Sequence, residues 1–169
     1  MVILIGLGAN LPSPRYGQPQ RTLEAALVAF GDCGIRVLRR SRWYRSPPMP
    51  PSAQPWYVNG LAVVRTEHDP RDLLAALHRI ESQFGRVRGT KNEPRTLDLD
   101  IVGYHGLVGR GKGSPSLPHP RLHERAFVLL PLRDVAPRWR HPVDGRTVAA
   151  MIAALPANNV AEPIEDRRS

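Results

Sequence analysis

The chain has 169 residues, 24 of them basic and 15 acidic, for a net charge of +9. That length suits one domain able to bury its own core, and the single cysteine, Cys33, excludes an internal disulfide or a cysteine-built zinc cluster. The opening run Met1-Val2-Ile3-Leu4-Ile5 is too short to span a membrane and lacks the charged start of a secretory signal, so a cytoplasmic protein without a membrane partner is expected. The positive balance favours anionic partners. Arginine supplies nearly all of it, Lys91 and Lys112 being the only lysines, a bias that also fits a GC-rich genome.

In chain order, residues 2–7 predict a buried first strand, turned at Gly8-Ala9-Asn10-Leu11. Pro12, Pro14 and Pro19 keep the next stretch out of helix. Residues 21–30 then predict a helix, with Leu23, Ala26, Leu27 and Phe30 on one stripe. Residues 35–44 read as a second strand. Ser46-Pro47-Pro48-Met49-Pro50-Pro51 must be an extended loop. Residues 56–66 read as a third strand, with Tyr57 and Asn59 on the face of Leu61 and Val63. Asp69-Pro70 starts a second helix as N-cap and first-turn proline, and Gly85 stops it. A short basic loop leads to a strand over residues 94–101. Residues 124–135 and 147–155 predict two more helices. We expect one domain over residues 1–156 and a disordered tail over 157–169. The order β-α-β-β-α-β predicts an α+β, ferredoxin-like antiparallel sheet with helices packed on it, plus a C-terminal helical extension.

The strand Pro94-Arg95-Thr96-Leu97-Asp98-Leu99-Asp100-Ile101 carries the chemistry. Alternation puts Asp98 and Asp100 on one face and Leu97, Leu99 and Ile101 on the other. Paired carboxylates repel unless a cation or a proton intervenes. Mg²⁺ often takes one or two carboxylates and completes its shell with water and substrate phosphates. An Asp-x-Asp pair alone is more often a solvated surface. Arg86, Arg88 and Arg95 nearby, and the apolar opposite face, favour a metal site for phosphoryl transfer.

Two other motifs fail on inspection. Gly6-Leu7-Gly8 resembles the start of a dinucleotide-binding turn, but Leu11 stands at the third glycine and prolines delay the helix. The run from Gly106 to Gly113 is one residue from a P-loop, but Gly113 replaces the hydroxyl residue and Pro115, Pro118 and Pro120 forbid the helix. A mobile hairpin loop is the better reading there.

The Asp-x-Asp strand has company in a fixed order. Gly8-Ala9-Asn10, Ser46-Pro47-Pro48, Gln54-Pro55-Trp56-Tyr57-Val58-Asn59, Arg79-Ile80-Glu81 and Gly85-Arg86-Val87-Arg88 precede it; Leu117-Pro118-His119 and Arg125-Ala126-Phe127 follow. This set closely resembles the 6-hydroxymethyl-7,8-dihydropterin pyrophosphokinases of folate biosynthesis, over nearly the whole chain. The resemblance implies a transfer of pyrophosphate from MgATP to the hydroxymethyl group of the dihydropterin, with release of AMP. It implies two Mg²⁺ ions on Asp98 and Asp100, and Arg86 and Arg95 as the catalytic pair gripping phosphate. Glu81, Arg88, Ile101, Ser116, His119 and Arg125 are implied as ATP contacts. Ser46, Pro48, Met49, Tyr57, Asn59 and Phe127 are implied as the pterin site, with the bicyclic ring stacked between Tyr57 and Phe127. ATP and the reduced pterin are thus the expected partners of a monomer, with no nucleic acid.

Some positions depart from the family pattern. Ala9 replaces a serine and Ser46 a threonine; Pro120 follows the histidine where an aromatic is common. The stretch after Asn10 is longer, and the loop Gly89-Thr90-Lys91-Asn92-Glu93 is shorter and lacks a tryptophan. Two readings from other classes stand beside this one. The charge and the sheet aromatics could serve a ferredoxin-like RNA-binding module, and the carboxylates a metal-dependent nuclease. Against the first, aromatics are only 6% of the chain and no RNP-type run is visible; the second does not account for Tyr57, Asn59 and Phe127.

Overall fold

A computed structural model describes residues 1–85, 96–110 and 112–165. Its organising element is β1 (Ile3–Ala9), whose side chains alternate between two cores. Ile3, Ile5, Leu7 and Ala9 face one hydrophobic cluster, and Leu4 faces the other. Gly6 and Gly8 share the second face but carry no side chain to fill it.

β1 is flanked by β4 (Tyr57–Thr66) and β5 (Asp98–Tyr104), both antiparallel. The neighbouring registers Gly8↔Asn59 and Gly8↔Asp98, with Gly6↔Asp100, bring three candidate site positions level across the sheet. The remaining strands are β2 (Ile35–Arg40), β3 (Tyr44–Ser46) and β6 (Glu162–Pro163). The sheet order is β5-β1-β4-β3-β6, with β2 also paired to β4.

The expected second strand is broken in two. Ser41 accepts from the Leu61 N–H at 2.9 Å and donates to the Arg42 carbonyl at 2.7 Å, which turns the chain. Trp43 then plunges into the first core beside Gly60, where a Cβ would meet its ring at 2.6 Å. β2 and β3 therefore occupy successive lengths of the same β4 edge.

α1 (Pro19–Asp32) and α2 (Pro70–Gln83) cover the first face. Pro19, expected to delay the helix, is instead its first residue, where its missing N–H costs nothing. Asp69 caps α2 as predicted, accepting from the Asp72 N–H at 2.8 Å. Gly85 ends it at φ 83°, a conformation that favours glycine. The extra stretch after Asn10 is anchored by Tyr16, stacked on Phe84 with centroids 4.9 Å apart.

α3 (Ala126–Val135) and α4 (Val148–Ala153) lie on the second face, over Leu4, Leu61, Val63 and Val102. The predicted helix from residue 124 begins two residues later. A 3₁₀ turn, Leu122–Glu124, precedes it, and Arg125 between them is extended at φ −126°, ψ 112°. The glycine-rich loop closes at its base through two bonds between Gly109 and Leu117, of 2.9 and 3.0 Å.

Residues 157–165 correct the expectation of a disordered tail. β6 pairs with β3, Ile164 donates to the Trp43 carbonyl at 2.8 Å, and the Ile164 side chain packs on the first core. The tail carries few apolar residues, so its own sequence gave no sign of this docking; the edge of β3 supplies the partner.

Candidate active site

α3 and α4 cover only part of the second face. Where they stop, the sheet floor, the proline loop after β3 and the segment from His119 to Val128 enclose a cavity of about 530 Å³. Gly6 and Gly8 form part of its floor. Their missing side chains make the space: a Cβ on Gly6 would reach Val102 Cγ2 at 3.3 Å, and one on Gly8 would reach Asn59 Oδ1 at 2.9 Å.

Asp98 and Asp100 line one side, with Val102 next on their face. Leu97, Leu99 and Ile101 are buried in the first core, as alternation requires. Among the described residues no group of three or more His, Cys, Asp and Glu side chains surrounds a cation position. Both aspartates border the cavity from β5.

His119 and Arg125 face this pair. Burial, helped by the nearby Arg125 cation, pushes the His119 pKa down to about 4 against the opposing pull of Asp98. Its Nδ1 accepts from the Arg121 N–H at 3.2 Å, so the neutral ring carries its proton on Nε2. Burial and Arg121 also lower the Arg125 pKa, opposed by Asp100 and Asp98. The carboxylates and these cations thus share one field.

The opposite end is aromatic and amide-lined. Tyr57 and Phe127 both border the cavity, and the Arg125 guanidinium lies 5.3 Å from the Phe127 ring centroid. Asn59, 6% exposed, donates from Nδ2 to Ser46 Oγ at 2.7 Å. That bond orients the amide, with Oδ1 over Gly8, where there is no side chain. Pro48 and Met49 form the rim. Asn10, 1% exposed, reaches from the end of β1 to Gln54 Oε1 at 3.1 Å and the Pro55 carbonyl at 3.3 Å, tying that rim to the sheet.

The model of the 7,8-dihydro-6-hydroxymethylpterin-pyrophosphokinase family matches residues 4–137. The chain belongs to this family. It is 41% identical over 159 residues to the 2-amino-4-hydroxy-6-hydroxymethyldihydropteridine pyrophosphokinase of Pseudomonas aeruginosa, covering 94% of each chain. The protein of that name from Synechocystis is 40% identical over 149 residues, 88% of this chain and 73% of the relative. Wild-type HPPK-DHPS of Plasmodium falciparum has the same fold, with a TM-score of 0.67 at 14% identity. That match covers 90% of this chain and 40% of the solved one, so the chain spans less than half of that longer protein.

The pyrophosphokinase cavity gathers ten of the expected site residues: Asp98, Asp100, His119 and Arg125 at one end, and Ser46, Pro48, Met49, Tyr57, Asn59 and Phe127 at the other. Arg86, Arg88 and Arg95 lie outside the described residues. Three expected ATP contacts do not line it. Glu81 is 2% exposed on α2, and its Oε2 accepts from the Leu99 N–H at 3.0 Å. It serves the outer edge of β5 behind the aspartates, because the sheet ends there and Leu99 needs an acceptor. The Ile101 side chain is core, leaving its backbone on that same edge. Ser116 lies just before Leu117, on the closed base of the glycine-rich hairpin.

Sequence reasoning assigned no role to Gly6, Gly8, Gln54, Arg121 or Glu124, all of which line the cavity. The alternation that placed Asp98 and Asp100 could have flagged the two glycines. Arg121 and Glu124, ion-paired at 3.4 Å, follow His119 within one turn.

Proposed function

We propose that this pyrophosphokinase binds ATP at the carboxylate end of the cavity and the reduced pterin at the aromatic end, and works as a cytoplasmic monomer. The observation that carries the reading is one cavity, walled by a single chain, in which Asp98, Asp100, His119 and Arg125 meet Tyr57, Asn59 and Phe127. The pterin hydroxymethyl oxygen attacks the β-phosphorus of ATP and loses its proton. The bond from that phosphorus to the α,β-bridging oxygen breaks, and AMP leaves.

Asp98 and Asp100 would hold Mg²⁺, which when bound would neutralise triphosphate charge and align the phosphate for attack; two carboxylates from one strand at the cavity suit an ion that completes its coordination with phosphate and water. Arg125 supplies fixed positive charge to the transferring group, and neutral His119 donates from Nε2 to phosphate oxygen. Asn59, with its Nδ2 committed to Ser46, turns its acceptor oxygen to the polar edge of the pterin. Tyr57 and Phe127 grip its faces. Arg86 and Arg95 act on the phosphates in the transition state, and Arg88, Ser116 and the Ile101 backbone on the nucleotide. Glu81 acts indirectly, by holding β5.

An assay of AMP release from MgATP, with and without 6-hydroxymethyl-7,8-dihydropterin, tests the reading. Pterin-dependent AMP is expected. ADP as the product, or AMP formed regardless of pterin, would overturn it. Asp98→Ala and Asp100→Ala should each lose turnover by at least ~10³-fold with an unchanged fold by circular dichroism.

A further inference from the structure

The segment beyond residue 137, which the family match does not reach, makes two contacts at the edge of the cavity. Arg125, the residue before α3, offers no side-chain hydrogen bond to the helix start. Asn159 does so from the tail. Its Oδ1 accepts from the Ala126 N–H at 3.1 Å, and its Nδ2 donates to the Glu124 carbonyl. One amide therefore clamps both peptides flanking Arg125. Farther along, β6 pairs with β3 at Tyr44 and Arg45, adjacent to Ser46. The same strap thus touches both walls of the cavity, one bearing Arg125 and Phe127 and the other bearing Ser46.

We infer that Asn159 is a positioning residue for the pyrophosphokinase site: it fixes the start of α3 so that Arg125 and Phe127 stand where phosphate and pterin need them. This rests on the functional reading above. A helix start left without an acceptor frays, and small misplacement of binding groups is amplified in affinity.

The test is equilibrium titration of the full chain with ATP alone and with the pterin alone, alongside AMP release. Asn159→Ala should weaken both affinities about five- to tenfold. Asn159→Asp keeps an acceptor for the Ala126 N–H but sets a second acceptor against the Glu124 carbonyl, and should recover only part of the loss. Thr147→Ala removes the corresponding cap of α4, where Thr147 Oγ1 accepts from the Ala150 N–H at 3.1 Å and Thr147 does not line the cavity. It serves as a control for destabilisation alone and should leave both affinities within twofold of wild type. Wild-type affinities in Asn159→Ala, or equal losses in Asn159→Ala and Thr147→Ala, would overturn the inference. Absence of pterin-dependent AMP from the wild-type chain would instead overturn the functional reading.

Discussion

At the scale of single residues, the site depends on groups held in unusual states. His119 is neutral because burial disfavours its cation, its pKa pushed down to about 4. The unfolded chain takes up that proton near the ordinary histidine pKa of about 6.5. Between those two values the unfolded state binds more protons, so stability falls as pH falls through the window; above it this group adds no slope. Denaturant midpoints of the ligand-free protein at pH 7 and pH 4.5 should drop further for wild type than for His119→Gln. Equal drops would remove His119 from the acid response. Gly8 acts by absence. Gly8→Ala puts a methyl 2.9 Å from Asn59 Oδ1, and should weaken pterin binding roughly tenfold by titration while costing about 1–3 kcal/mol in stability. Alternation put Asp98 and Asp100 on one face and could have flagged the gap at Gly8, but not what Gly8 faces. Its importance lies in Asn59, which is 51 residues distant in the chain and opposite only through strand register.

At the scale of elements, the edges of the sheet decide most of what local pattern left open. β5 is an outer strand, and α2 packs along it with the buried Glu81 carboxylate on the Leu99 N–H. A carboxylate on a helix stripe reads as a solvated group or a ligand contact. Here it accepts from the Leu99 N–H, because an edge strand presents donors that need acceptors. Glu81→Ala should cost ~2–3 kcal/mol in chemical denaturation and impair Asp98 and Asp100 only through the strand. A stability loss under 0.5 kcal/mol, with ATP affinity abolished, would restore it as a direct contact. The break between β2 and β3 has a similar origin. The β propensity of residues 35–44 is continuous, but Trp43 enters the core only where Gly60 leaves room.

At the scale of the whole molecule, helices cover both faces of the sheet except at the cavity. No broad aromatic sheet face is left among the described residues for stacking successive bases. Among the described residues no helix is long and apolar enough to cross a membrane. A net charge of +9 attracts polyanions, which predicts electrostatic steering of ATP. kcat/KM for ATP should fall about three- to tenfold between ~20 and ~200 mM salt, while KM for the uncharged pterin stays nearly constant. A salt-independent ATP profile would rule out steering.

Strand alternation, the Asp69 cap, the core stripes of α1 and α2, and an ordered motif set specific enough to identify the family were all legible in the sequence. The alternation and the stripes are properties of near neighbours, set by backbone periods of 2 and 3.6. Only the tertiary structure decided that Glu81 faces the β5 edge, that Gly6 and Gly8 open the cavity, that Arg121 and Glu124 line it, and that the tail returns to hold α3 and β3. Each of these depends on which distant segments meet, and that is set by sheet order and register rather than by the pattern of any one segment.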